Sequence, residues 1–127
     1  MFNLNTISPI IVTKKFLPLL KNADQGFVIN ISSARASFTQ GHTATTPNYG
    51  YASSKVALNM MTFCSELELP PNTKTFAVNP GGVQTDTNPD GVGQPLERAT
   101  QIIALTENWK DEYQGKFVNY TRELHVL

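Results

Sequence analysis

The chain has 127 residues, enough for one domain over its whole length, and its ten basic residues balance its ten acidic residues. Hydrophobic residues make up 40% of the sequence and charged residues 16%, which is ordinary for a globular protein. No basic stripe favours nucleic-acid binding, and no apolar run approaches the roughly 18 residues of a membrane span.

The first half of the chain predicts a helix, a strand and a long loop. Ser8 and Pro9 are expected to begin the helix, with Ser8 as its N-cap and Pro9 at the first helical position. Apolar residues recur at helical spacing after them, and Pro18 is expected to kink this helix or end its regular part. Residues 27–31 are apolar and β-branched, which predicts a strand buried on both faces. The Ser-, Thr-, Gly- and Pro-rich stretch 34–48 is typical of a surface loop.

The second half predicts two more helices and two more strands. The longest helix spans residues 49–69, with apolar side chains on more than one stripe, so we expect it to be covered on two sides. A strand at 73–78 and a polar loop at 86–94 follow. A third helix spans 95–109, and a last strand spans 115–119. The apolar residues along one side of the third helix are Leu96, Ala99, Ile102, Ile103 and Leu105.

This alternation of helices and buried strands predicts an α/β fold with a parallel sheet and right-handed crossovers. Ligands of such sheets bind beyond the carboxyl ends of the strands. Ser33 follows the carboxyl end of the first strand, and the turn at Asn79 and Pro80 follows that of the second. Tyr51 and Lys55 lie near the start of the helix between them. These residues are therefore expected to converge on one edge of the sheet.

Tyr51 and Lys55 are four residues apart, which places a phenol and an ammonium on the same face of a helix. A nearby cation favours the ionised form of a phenol, and a phenol tuned in this way can exchange a proton with a substrate oxygen. The alternative is a helix-surface pair that contributes a few tenths of a kcal/mol to stability.

Several ordered motifs resemble one family along essentially the whole chain. Residues 30–33 read Asn-Ile-Ser-Ser, residues 51–55 read Tyr-Ala-Ser-Ser-Lys, and residues 79–85 read Asn-Pro-Gly-Gly-Val-Gln-Thr. Together they resemble the second half of a short-chain dehydrogenase/reductase. Residues 2–20 and the ending 115–120 are similar to the subgroup of small carbonyl reductases that includes Sniffer and the bacterial C-factor proteins. The resemblance implies a Rossmann-like sheet and an NAD(P)-dependent oxidoreductase acting on a carbonyl or alcohol substrate.

The resemblance also implies roles for four catalytic residues. Tyr51 resembles the acid/base that protonates the carbonyl oxygen as hydride arrives, and it would contact both substrate and cofactor. Lys55 is similar to the lysine that assists this tyrosine and holds the nicotinamide ribose. Ser33 is similar to the serine that hydrogen-bonds the substrate oxygen, although it could instead cap or turn the chain. Asn5 is similar to the asparagine that positions a proton-relay water, although an Asn near a helix start is often a cap.

In the family, the segment that begins at Pro80 and Gly81 lies against the nicotinamide. The resemblance implies cofactor contacts from these two residues, from the backbone of Val83 and from the hydroxyl of Thr85, which could equally cap local structure. The subgroup favours NADP over NAD. The family's dimer interface further implies a homo-oligomer formed through helices 8–21 and 49–69.

The sequence departs from the family pattern in two ways. Ser33 precedes Tyr51 by 18 positions, more than is usual. More seriously, the Gly-rich turn and the first strands that bind the pyrophosphate are absent, so the fold is expected to be a truncated, partial domain that lacks the usual front half. An alternative function follows, in which the chain is an inactive fragment or pseudoenzyme that acts only through subunit pairing.

The remaining candidate residues have simpler interpretations. His42 and His125 have no partner at metal-ligand spacing, so both are predicted to be solvated and no metal site is expected. Cys64 is the only cysteine, which excludes an internal disulfide and is compatible with a cytoplasmic location. It lies on an apolar helix face and is predicted to belong to the core rather than to act as a nucleophile. The N-terminus lacks the pattern of a signal peptide.

Overall fold

The computed structural model describes residues 1–40 and 47–126; His42, predicted to be solvated, lies outside them. In this part of the chain three α-helices alternate with three strands, as the sequence predicts. They are α1 (Ser8–Asn22), β1 (Gly26–Ile31), α2 (Tyr49–Ser65), β2 (Thr73–Asn79), α3 (Pro95–Glu107) and β3 (Phe117–Asn119). None of the helices in these described ranges is long and apolar enough to cross a membrane.

The three strands form one parallel sheet in the order β1-β2-β3. Gly26 of β1 lies opposite Thr73 of β2, and Ala77 of β2 lies opposite Phe117 of β3. Because all the strands run in the same direction, their carboxyl ends meet at one edge of the sheet. The predicted α/β architecture, a Rossmann-like parallel sheet with flanking helices, is confirmed.

The central strand β2 buries side chains on both faces of the sheet. On one face, Phe76 and Val78 pack with Leu105 of α3 in a fully buried cluster. On the other face, Ala77 packs with the partly buried Val56 of α2. Helices therefore cover both faces, which explains why β2 is an almost continuous run of buried residues.

The strand β1 is less buried than its sequence predicts. Its residues 27–30 are half-buried, and Ile31 is 47% exposed. Among the described residues β1 pairs only with β2, so it is an edge strand whose side chains have strand neighbours on one side. The expectation that this strand is buried on both faces is therefore wrong, and it is β2 that has this burial.

The first helix does not begin at Ser8. Residues Asn3–Ile7 already form a π-helical turn that runs directly into α1, and Ser8 has helical backbone angles. Its Oγ donates a hydrogen bond to the carbonyl of Asn3 at 2.8 Å, so Ser8 is an internal residue and the N-cap prediction is wrong. Pro18 does not end the helix either, because α1 continues to Asn22.

The helix α2 ends at Ser65 rather than at residue 69, and turns carry the chain from there to Pro70. As predicted, α2 has neighbours on two sides: Val56 packs on Ala77 of the sheet, and the backbone of Ser54 accepts a hydrogen bond from Thr6 of the π-helical turn. Cys64, however, is exposed, and its assignment to the core is wrong. The apolar pattern around it is real, but residues such as Phe63, which is 49% exposed, are only partly covered. The buried residues of α2 are Ser54, Leu58, Asn59 and Thr62.

The helix α3 buries only part of its apolar side. Leu105 is fully buried in the core, whereas Leu96 is 81% exposed and Ile103 is 55% exposed. Arg98, which the sequence does not mark, is 6% exposed and stacks on Tyr120 with 3.6 Å between its guanidinium carbon and the ring centroid. In the first turns of α3, the buried side chain is therefore an arginine rather than one of the predicted apolar residues.

Candidate functional site

The Tyr51 and Lys55 pair lies at the carboxyl edge of the sheet. The Nζ of Lys55 donates a 2.7 Å hydrogen bond to the carbonyl of Ile31, the last residue of β1. The same Nζ lies 5.8 Å from the centroid of the Tyr51 ring. Burial lowers the pKa of Lys55 from its ordinary value, because the ammonium loses part of its hydration. The two side chains are half-buried, which leaves them accessible to a ligand.

The residue before α2 explains why this helix begins just before Tyr51 and Lys55. Asn48 is the N-cap, and its Oδ1 accepts the N–H of Tyr51 at 3.2 Å. This contact satisfies one of the four N–H groups that a helix start leaves unpaired. Tyr51 and Lys55 consequently occupy the first turns of α2, where the helix approaches the end of β1.

Asn5 is joined to the same helix through Ser54. The Nδ2 of Asn5 donates to the Oγ of Ser54 at 3.0 Å, and this Oγ in turn donates to the carbonyl of Tyr51 at 2.8 Å. Thr6 adds a 2.9 Å hydrogen bond from its Oγ1 to the carbonyl of Ser54. Ser54, the residue before Lys55, is fully buried. These hydrogen bonds therefore hold the π-helical turn against α2 at this position. The structure thus links Asn5, through Ser54, to the turn of α2 that carries Tyr51 and Lys55.

Ser33 follows β1 and caps a single turn of 3₁₀-helix at Ala34–Ala36. Its Oγ accepts the N–H of Arg35 at 3.2 Å, which is the capping contact that the sequence left as an alternative role. This contact uses the oxygen, so the hydroxyl hydrogen remains able to donate to another acceptor. The neighbouring Ser32 is only 2% exposed, whereas Ser33 is half-buried, so Ser33 is the more accessible of the two.

The segment from Pro80 to Thr85 follows β2 at the same edge. The N–H of Gly81 bonds to the Oδ1 of Asn79 at 3.1 Å, and Gly81 has a φ of 69°, a conformation that favours glycine. Val83 pairs with Gly93, and the N–H of Val83 has no hydrogen-bond partner within the described part of the chain. A Cβ added at Gly82 would meet no atom within 4 Å. This backbone is therefore accessible, and the N–H of Val83 is available to an acceptor on a ligand.

Thr85 is exposed and makes mostly local contacts. It exchanges two backbone hydrogen bonds with Asn88, and its Oγ1 lies 3.3 Å from the Oγ1 of Thr87. These contacts close a turn in the polar loop, which is the local role that the sequence left open for Thr85. Its hydroxyl remains accessible to a ligand at the edge of the segment.

Two residues of this edge have contacts that the sequence analysis does not predict: Asn79, whose turn it places here without giving its side chain a role, and His125, which it assigns to solvent. Asn79 is 5% exposed, and its side chain bonds to the loop after β1, to its own loop and to the C-terminal segment. His125 is 8% exposed and stacks on Phe117 with 4.4 Å between ring centroids, so the prediction that it is solvated is wrong. No spacing signal marks His125, because its neighbours come from β2 and β3 rather than from nearby sequence.

Comparison with known proteins is consistent with this geometry. The model of the short chain dehydrogenase family matches residues 1–93. The chain is 28% identical over 139 residues to the short chain dehydrogenase tazN of Aspergillus terreus, covering 98% of this chain and 29% of tazN.

Solved structures resemble the whole chain. Carbonyl reductase Sniffer of D. melanogaster is 28% identical and superposes with a TM-score of 0.82. The NADPH-bound carbonyl reductase from chicken fatty liver is 26% identical, with a TM-score of 0.85. In both cases the alignment covers 99% of this chain and 55% of the solved chain. The chain therefore spans about half the length of these relatives.

Proposed function

The chain belongs to the short chain dehydrogenase family, and on that premise we propose that it is an NAD(P)-dependent oxidoreductase. The reaction would transfer hydride between a nicotinamide cofactor and a carbonyl or alcohol substrate. The observation that carries this proposal is the 2.7 Å hydrogen bond from Lys55 to the carbonyl of Ile31. It holds the ammonium, and with it the start of α2, at the sheet edge where Ser33 and the Pro80 segment also lie.

Tyr51 is the proposed acid/base of the reaction. In the direction of carbonyl reduction it donates its phenolic proton to the substrate oxygen, and in the reverse direction it accepts that proton. Ser33 donates its hydroxyl hydrogen to the same oxygen and stabilises the negative charge that develops there. Because the Oγ of Ser33 is held by the N–H of Arg35, the hydroxyl is oriented before a substrate arrives.

Lys55 and Asn5 support the tyrosine in this proposal. The ammonium of Lys55 stabilises negative charge on the phenolate of Tyr51, and two of its hydrogens remain for a ribose hydroxyl. The side-chain amide of Asn5 donates from Nδ2 to Ser54, so its Oδ1 is the atom that would accept a hydrogen bond from a water molecule. A proton lost by Tyr51 could then be replaced from solvent along Lys55 and such a water.

A nicotinamide dinucleotide would supply the hydride when bound. The residues proposed to hold it are Pro80 and Gly81, the backbone of Val83, the hydroxyl of Thr85 and the ammonium of Lys55. We favour NADP over NAD, because the similar carbonyl reductase from chicken fatty liver is NADPH-bound.

The proposed substrate is a small carbonyl compound or alcohol. The proposed location is the cytoplasm, where the single cysteine would stay reduced.

A second candidate function rests on the apolar surface of the first helical segment. No residue of α1 is buried, and the large apolar side chains of residues 4–19 are mostly about half exposed or more. A surface of this kind is typical of a helix that packs against another chain or domain. In this alternative the chain is a catalytically inactive member of the family, and helices α1 and α2 pair with another subunit. The exposed residues are Leu4, Ile7, Ile11, Val12, Phe16 and Leu19.

Titration of the purified chain with NADPH and NADH distinguishes the two functions. Cofactor at one hundred times its Kd adds about 2.7 kcal/mol to the free energy of unfolding, which corresponds to a rise in Tm of about 10 °C. Reduction of a panel of aldehydes and ketones should then depend on Tyr51. We expect Tyr51→Phe to lower kcat about 10²- to 10⁴-fold.

The matched control is Tyr49→Phe, because Tyr49 lies on the same helix, two residues earlier, and is 82% exposed. Its kcat should equal that of the unmodified chain. An unchanged Tm at millimolar cofactor, together with a dimer in analytical ultracentrifugation, would reject the enzyme and favour the pairing function.

A further inference from the structure

The side chain of Asn79 connects the two loops of the candidate site. Asn79 is the last residue of β2, and its Oδ1 accepts the N–H of Ala34 at 3.0 Å and the N–H of Gly81 at 3.1 Å. Ala34 is the residue after Ser33, and Gly81 belongs to the segment proposed to hold the nicotinamide. One carbonyl oxygen therefore sets the distance between the turn that carries Ser33 and the turn that follows β2.

These two contacts also fix the orientation of the Asn79 amide. Because the Oδ1 must face the two N–H groups, the Nδ2 must point the other way. There it lies 3.2 Å from the Nε2 of His125 and 3.4 Å from the Oδ1 of Asn119. An amide nitrogen can only donate, so the Nε2 of His125 must accept. The proton of neutral His125 then lies on Nδ1, which faces the carbonyl of Val126 at 3.4 Å.

The surroundings of His125 disfavour its protonated form. The imidazole is 8% exposed and stacked on Phe117, and burial lowers its pKa. Asn59, Met60 and Phe63 of α2 line the groove beside it. The charged side chain lining the same groove is Lys116, which is a cation and would repel an imidazolium. Glu123 and Arg122 precede His125 on its own segment, where Glu123 accepts a hydrogen bond from Thr121.

We propose that Asn79 and neutral His125 are positioning residues, and that protonation of His125 releases the Asn79 amide and uncouples the Ser33 turn from the Gly81 turn. A protonated Nε2 would place a second donor against the Nδ2 of Asn79. The amide would then rotate or withdraw, and the N–H groups of Ala34 and Gly81 would lose their shared acceptor. The consequence for turnover rests on the proposed function, which gives these two turns their roles toward substrate and cofactor.

Amide chemical shifts test the coupling without any cofactor or substrate. In ¹⁵N-labelled protein titrated from pH 8 to pH 5, the Ala34 and Gly81 amide signals should shift with one common midpoint. That midpoint should equal the one measured on the ring carbons of His125. In His125→Gln, whose side-chain oxygen can accept from Asn79 but does not titrate, both amide signals should stay constant over the same range.

A second variant separates the hydrogen bond from packing. His125→Phe keeps a ring against Phe117 but has no acceptor, so its Ala34 and Gly81 amide signals should resemble those of the wild type at pH 5 throughout the titration. Wild-type amide signals that ignore the ionisation of His125, or that still titrate in His125→Gln, would overturn the proposal.

Turnover gives a readout that a purely structural role would not change. The wild-type kcat should fall about two- to tenfold as the pH drops through the pKa of His125, which is the range that one ordinary hydrogen bond can account for. The His125→Gln variant should lack this step in its pH profile, and His125→Phe should have the low kcat at every pH. Absence of turnover at any pH would reject the proposed function and leave the amide titration to decide the coupling by itself.

Discussion

Replacing Ser54 with alanine tests whether polar contacts hold the segment around Asn5 against α2. The Oγ of Ser54 accepts from the Nδ2 of Asn5 at 3.0 Å and donates to the carbonyl of Tyr51 at 2.8 Å. Alanine removes both contacts and leaves the partly buried amide of Asn5 without its acceptor. The hydrogen bond from Thr6 to the backbone of Ser54 remains, because it does not use the side chain.

The expected cost follows from these contacts. One hydrogen bond within a protein contributes about 1 kcal/mol, and a buried donor left unpaired costs about 1–3 kcal/mol. Alanine is a better helix former than serine by a few tenths of a kcal/mol, which offsets part of the loss. We therefore expect Ser54→Ala to lower the free energy of unfolding by about 1–2 kcal/mol. For a chain of 127 residues this lowers Tm by about 4–8 °C.

Urea denaturation followed by circular dichroism measures this change, and Ser53→Ala is the matched control. Ser53 is the preceding residue of the same helix and is exposed, so its replacement should be neutral or slightly stabilising. A difference between the two variants smaller than about 0.3 kcal/mol would refute the reasoning, because the tertiary hydrogen bond would then contribute nothing. In the proposed enzyme, Ser54→Ala should also lower kcat by displacing Asn5.

Three further predictions concern the core, a turn and the buried imidazole. Leu105→Ala should lower the free energy of unfolding by about 2–5 kcal/mol in a urea titration, whereas Leu96→Ala on the same helix should stay within about 0.5 kcal/mol of the wild type. Gly81→Ala should cost at least about 1 kcal/mol by the same measurement, because its φ is 69°, and Gly82→Ala should cost less. Burial lowers the pKa of His125, so its contribution to stability should be complete above pH 6.5 and decline as the pH falls below it; His125→Gln should remove this decline.

The sequence predicts the order and type of the elements because the spacing of apolar residues reflects which faces of each helix and strand are buried. The strand β2 illustrates this, since a run of apolar residues appears in the structure as a strand between two helical layers. The positions of Ser33, Tyr51 and Lys55 at one edge are also predictable, because the topology of a parallel sheet brings the segments that carry them together, whereas Asn5 is marked only by the family resemblance.

The wrong predictions concern residues whose burial or backbone conformation depends on segments that are distant in sequence or outside the local pattern. Cys64 lies in an apolar pattern, yet it stays exposed in an open groove that it lines together with Leu17 of α1, so periodicity alone assigns it wrongly to the core. Ser8 has the right residue type for an N-cap, but the chain is already helical before it. His125 is buried by Phe117 and Asn79, which come from two different strands, and no local pattern encodes that contact.

The parallel sheet has a consequence for how the chain folds. Gly26 pairs with Thr73 and Ala77 pairs with Phe117, so the strand pairs join residues 47 and 40 positions apart, and no hairpin can start the sheet. Closing such long loops costs entropy before any strand contact offsets it. Early structure should therefore form within α2 and α3, and the docking of β2 between β1 and β3 should limit the folding rate. Refolding should accordingly be slow compared with that of a helical bundle of equal length.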